Sequence, residues 1–137
     1  MNEIAGFLGW IGAIGYGMAL LNFFMKYVNK KYINKLPKEK NKFITIYRKI
    51  MKYVVKYHKI FGIVASIAIV IHLYLMYTNI GLSITGLAAA IVMWSIFSLG
   101  IYGVLTHQKA KGNWIKIHRL LSFLLILLLV AHLLLKL

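Results

Sequence analysis

The stretch "HKIFGIVASIAIVIH", residues 58–72, carries an imidazole at each end of an apolar run, and "HRLLSFLLILLLVAH", residues 118–132, repeats that layout at the same spacing. Lipid rejects isolated polar rings, so two such pairs need a structural or chemical reason. At 1.5 Å and about 100° per helical residue, fourteen positions separate the rings of a pair by about 21 Å and leave them within about 40° of one face. Each helix would therefore present one histidine near one membrane surface and another deep toward the opposite one.

The residues around these stretches belong in a bilayer. The chain has 137 residues, 61% of them hydrophobic, and a mean hydropathy of +0.78. Soluble domains usually hold about 45–50% apolar residues. Four stretches, at 4–25, 54–78, 82–105 and 114–135, reach the roughly 20 residues that a hydrocarbon core of about 30 Å requires. They use up most of residues 1–137, which read as a single transmembrane domain without room for a separate soluble unit. The expected fold class is an all-α membrane protein, a four-transmembrane-helix up-down bundle with a short cytoplasmic interfacial helix. The first apolar segment lacks a basic leader region and a small-residue cleavage pattern, so it reads as a retained helix.

The formal charge of +15 is placed as a membrane protein places it. Twelve of the 17 Lys and Arg residues lie between Lys26 and Lys59, and four more between Lys109 and Arg119. Basic residues gathered in short loops follow the positive-inside pattern. That pattern expects loop 26–53 and the loop before span four in the cytoplasm, with both termini and the turn at 78–83 outside, in a multi-pass protein of the cell membrane. It argues against nucleic acid as a partner and for the lipid bilayer. The absence of cysteine excludes disulfides, iron–sulfur clusters and thioether attachment of a cofactor. Glu3 and Glu39 are the only acids, and both fall outside or at the edge of the spans. Histidine alone is left as the ionisable group at depth.

Along the chain, Gly6, Gly9, Gly12 and Gly15 recur every third residue of the first span, with Gly17 close behind. Such a row serves as a groove for close helix packing or as a smooth wall against a flat cofactor. "KYVNKKYINKLPKEKNK", residues 26–42, is a basic loop holding the only proline, Pro37. The next residues, "FITIYRKIMKYVVKYH", are apolar at 43, 46, 47, 50, 51 and 54, with Lys42, Arg48, Lys49, Lys52 and Lys56 on the other side. This reads as the interfacial helix, lying on the inner leaflet and attracted to anionic lipid; docking of an acidic partner is the alternative. "TNIGLS" at 78–83 is a tight external turn and "THQKAKGNW" at 106–114 an internal loop. Connections this short force the last three helices up, down and up.

Spans two and four then run in the same direction, which puts His58 level with His118 and His72 level with His132. Neighbouring helices pack about 8–10 Å apart, so the diagonal of a square bundle is roughly 11–14 Å. That gap suits two imidazoles with a metal between them, and a haem iron held from both sides fills it. An inner haem b on His58 and His118 and an outer one on His72 and His132 are the expected cofactors. Gly86 and Gly100 of span three, again fourteen apart, and Gly103 fall near those levels, while Gly62 and Ser122 each follow the first histidine by one turn. Lys59 and Arg119 directly follow the inner histidines, with Lys56 and Lys116 close by, and would meet the propionates; they also serve topology by snorkelling. His107 sits in a basic loop at no ligand spacing and reads as a solvated residue.

Twin His-x13-His pairs on alternate helices of a four-helix unit, with glycines on the flanking ones, resemble the haem core of membrane dihaem b-type cytochromes. That group includes the cytochrome b of quinol-oxidising complexes, cytochrome b561 and the ferric-reductase-like transmembrane domain. The resemblance covers about residues 4–137 and implies axial ligation by His58, His72, His118 and His132. It implies transmembrane electron transfer between a cytoplasmic redox partner and an external or quinone partner, with no catalytic residue of the chain's own. One alternative is a haem-bearing membrane anchor subunit of a larger oxidoreductase; another is a haem-free metal carrier or packing subunit.

Overall fold

The computed structural model describes residues 2–37, 41–107 and 111–136. It contains α1 (Asn2–Lys31), α2 (Lys42–Asn79), α3 (Ile84–Leu105) and α4 (Asn113–Lys136), with one 3-10 turn at Ile33–Lys35 between the first two. No strand occurs among the described residues. All four helices are long and apolar enough to cross a membrane, so the fold is the all-α multi-pass architecture that hydropathy demands. Positions 1, 38–40, 108–110 and 137, parts of the expected domain and basic loops, lie outside the described residues.

Local chemistry sets the helix ends. Asn41 caps α2, its side-chain oxygen accepting from the Phe43 amide at 3.0 Å. Ser83 caps α3 by accepting from the Gly86 amide at 3.1 Å. These side chains satisfy amides that no helical carbonyl can reach. The turn between α2 and α3 passes through Gly81 at φ +98°, and Gly112, at φ +107°, precedes α4; both conformations suit a residue without a Cβ.

Helix α1 packs along α2, α2 touches α3, and α3 packs along α4. The ring closes between α4 and α1, where the Tyr16 hydroxyl donates to the Ser122 carbonyl and Phe23 meets Phe123 edge-on at 5.4 Å. Two antiparallel hairpins thus face one another, and α2 and α4 stand across the diagonal. Tyr16, Ala65, Met93, Ile96 and Leu125 form the buried centre, with Ile69 and Leu129 packed against it. Outward, Phe7, Ile14, Ile67, Ile91, Leu120 and Leu127 are exposed, the arrangement of a bundle solvated by hydrocarbon.

The segment at 43–58 is helical and runs into the second span, as its stripe predicts, and the expected loop before it is helical as far as Lys31. α1 runs on to Lys31, and α2 begins at Lys42 and continues through its 38 residues without a break, about 57 Å. Residues 42–53 are therefore a coaxial extension of the second span. The reason is tertiary: Ile44 and Val54 are buried, as are Met25 and Ile33. The Tyr47 hydroxyl donates to the Met25 carbonyl at 2.8 Å and Arg48 to the Asn34 side chain at 3.3 Å. The apolar stripe splits accordingly. Ile44, Tyr47, Met51 and Val54 are wholly or partly buried, while Phe43, Ile46 and Ile50 are exposed.

Candidate functional site

The four histidines of α2 and α4 all turn partly inward. At the basic end, the His58 and His118 rings face each other with centroids 6.5 Å apart, tilted by 70°. Two imidazoles that share one metal ion from opposite sides bring their centroids to about 6–6.5 Å, given metal–nitrogen bonds of about 2.0–2.1 Å. At the other end, His72 and His132 both line an apolar cavity of about 380 Å³, to which α1 contributes Gly6, Gly9 and Gly12. Pockets that bury small ligands start at about 300 Å³. His58 and His118 are thus ring neighbours, and His72 and His132 share one cavity.

Each ring is held by its Nδ1. That of His58 lies 2.9 Å from the Ala19 carbonyl, that of His72 2.7 Å from the Ala5 carbonyl, and that of His118 3.1 Å from the Ile96 carbonyl. A carbonyl only accepts, so Nδ1 is the donor in all three, and Nε2 carries the lone pair a metal needs. His132 differs: its Nδ1 meets two hydroxyls, Thr85 Oγ1 at 3.2 Å and Ser83 Oγ at 3.4 Å. A hydroxyl donates or accepts, so the tautomer there follows whatever Nε2 binds.

The glycines explain how the rings reach the backbone. A Cβ on Gly9 would sit 3.1 Å from His72 Cε1, and one on Gly86 3.0 Å from His132 Cε1 and 2.8 Å from Ser83 Oγ. A Cβ on Gly100 would lie an ordinary 3.8 Å from His118 Cε1. Gly9 and Gly100 stand one turn beyond the acceptor carbonyls of Ala5 and Ile96, so each imidazole has its Cε1 beside a glycine of the neighbouring helix. Gly62, one turn from His58, borders open space, whereas Gly103 is covered by the Trp114 indole. The Ser122 hydroxyl bonds back to the His118 carbonyl at 2.8 Å, and its own carbonyl receives Tyr16. Lys59 is exposed, and the Arg119 guanidinium lies 5.5 Å from the centre of the Phe23 ring. His107, at φ +48° and exposed, ends α3 apart from the pairs.

Among the described residues no group of three or more His, Cys, Asp or Glu side chains could cage a metal ion. Among the described residues the nitrogen donors are two per level, and the thioethers of Met76 and Met93 also line the outer cavity. Comparison with known protein families, curated proteins and solved structures finds no match. The geometry has to carry the functional reading.

Proposed function

We propose that this chain holds two b-type haems, one on His58 and His118 and one on His72 and His132, and conducts single electrons across the membrane. Four observations support the fit: a metal-sized gap between the inner rings, a shared cavity at the outer ones, donors fixed at Nδ1, and glycines beside the rings. A free divalent ion needs three or four protein ligands. An iron whose equatorial positions are already filled needs just two, and two is what each level offers. When bound, bis-histidine haem supplies reversible one-electron exchange with no open iron position for oxygen chemistry.

The chain's own contribution is orientation, insulation and charge. The carbonyls of Ala19, Ile96 and Ala5 hold three Nδ1 protons, which fixes ring orientation and raises the basicity of Nε2. Tyr16, Ala65, Met93 and Leu125 fill the bundle between the two levels and keep water out of that stretch. Lys59 and Arg119 set positive charge beside the inner level, where propionates need cations. By the positive-inside rule the basic end faces the cytoplasm and both termini lie outside. The redox partners are then a soluble protein on the basic side and an external acceptor, donor or quinone on the other.

The carrying observation is the inner pair: two helices otherwise apart across the diagonal bring imidazoles to 6.5 Å with donors turned away. Pyridine haemochrome assay of the purified chain should give about two haems b. His58→Ala and His72→Ala should each remove one, and the double variant His58→Ala/His118→Ala no more than the single. A folded but colourless protein from haem-replete cells overturns the reading. A haem-bearing anchor of a larger oxidoreductase shares this chemistry, and the projecting basic hairpin favours it; co-purification of a flavin or iron–sulfur subunit would distinguish it.

A further inference from the structure

Two helices carry the basic end of this protein past the others. His58 and His118 face each other, so residue 53 of α2 stands about level with Asn113, where α4 begins. The eleven residues 42–52 therefore reach about 16 Å farther. α1 accompanies them: Ala19 pairs with His58, which leaves residues 25–31, about 10 Å of helix, beyond the same level. The headgroup layer adds only about 5–8 Å to each side of the hydrocarbon core. With the start of α4 at the edge of the hydrocarbon core, the tip would extend past that layer.

Two rows run along this projection. Phe43, Ile46, Ile50 and Tyr53 are 59%, 56%, 49% and 52% exposed and fall within about 80° of one another around the helix. Lys42, Lys49, Lys52 and Lys56 are exposed and fill the adjacent sector. On the α1 side, Lys31 is held near the Tyr27 and Tyr32 rings, 5.4 Å from each centroid. Glu3, the only acid among the described residues, lies at the opposite end of α1. An apolar row beside cations that have no ion pair among the described residues is a surface that calls for a partner.

We infer that this face of the α1–α2 tip docks a soluble, acidic one-electron carrier protein. The acidic character follows from the charge; the choice of an electron carrier rests on the function proposed above. Anionic lipid is the competing class of partner. It would need the apolar row to lie down in the interface, which requires bending two helices that Ile33, Ile44, Met25, Tyr47 and Arg48 hold together. A protein with an apolar centre and an acidic rim covers both rows with the hairpin as it stands.

The test uses the full-length chain in neutral phosphatidylcholine nanodiscs, with an acidic flavodoxin and an acidic [2Fe–2S] ferredoxin as probes. Surface plasmon resonance should detect binding of at least one, weakening steadily with salt. Lys42→Glu/Lys49→Glu/Lys52→Glu should lower affinity about tenfold or more, and Ile46→Ser/Ile50→Ser about tenfold, both with haem content unchanged. Vesicles containing 30% phosphatidylglycerol form the lipid arm. The inference is overturned if neither carrier binds, if binding ignores these variants, or if they change vesicle retention alone. Binding by a haem-free chain would keep the docking inference while removing the electron-transfer reading; a haem-loaded chain that binds neither carrier would do the reverse.

Discussion

Glycine decides the outer level atom by atom. At Gly86 a methyl group would press on both the His132 ring and the capping Ser83 hydroxyl, at 3.0 and 2.8 Å, and neither can yield without losing its own bond. At Gly100 the same methyl would rest in ordinary contact with His118. If the proposed haems are bound, Gly86→Ala should cost the outer one, about one of the two, while Gly100→Ala keeps both; haemochrome quantification beside circular dichroism checks this. Thr85 offers a second handle on the same ring. Thr85→Val removes the nearer hydroxyl from His132 Nδ1. Losing such a partner typically costs 10–100-fold in metal affinity, so haem should wash out of the outer level faster, with the inner one unaffected. The sequence displayed these glycines at histidine spacing, but as walls for a flat ligand. Their contact with the rings was hidden because the acceptors, Ala5, Ala19 and Ile96, act through backbone carbonyls that any residue type supplies.

Between elements, the bond from Tyr16 to the Ser122 carbonyl joins one hairpin to the other across the dry centre. Interhelical hydrogen bonds inside membranes are worth about 0.6 kcal/mol on average and up to about 1.7. Tyr16→Phe keeps the ring in its packing and should lower stability by about that much in a detergent unfolding titration, with both haems retained at low denaturant. Loss of haem in the folded variant would assign Tyr16 a direct role at the inner level instead. The four spans were legible because apolar runs of about 20 residues leave no other solution. The helix at 43–58 was legible as well, but not its packing against α1. Its residues alternate charge with aromatics, as an interfacial helix does, and the tertiary burial of Met25, Ile33 and Ile44, with the bond from Tyr47 to the Met25 carbonyl, is not visible in that pattern. Periodicity alone placed Phe43, Ile46 and Ile50 on one stripe with Tyr47 and Val54, and tertiary packing divided that stripe between α1 and the exterior.

Across the whole molecule His58, His72 and His118 are each braced by a carbonyl of the antiparallel neighbour and His132 by two hydroxyls, yet the two levels differ in charge. In the sequence Lys56, Lys59, Lys116 and Arg119 flank the inner histidines, whereas among the described residues no charged side chain lines the outer cavity. A cation about 10 Å away at an effective dielectric of about 20 favours an added electron by roughly 1–2 kcal/mol, and solvent screening of exposed heads reduces that. The inner site should consequently be reduced first, separated from the outer by a few tens of millivolts that shrink at high salt. In the proposed orientation a membrane potential negative inside would push electrons outward by about 2.3 kcal/mol per charge per 100 mV for a full crossing, so this asymmetry would oppose the field and make the proposed conduit more nearly reversible. Potentiometric titration of the purified chain should resolve two components. Lys59→Gln/Arg119→Gln should lower the higher one and leave the lower unmoved, and His58→Ala should abolish the higher. If His72→Ala abolished it instead, the outer level would hold the more stable electron, and the basic end would serve docking and topology without setting the potentials.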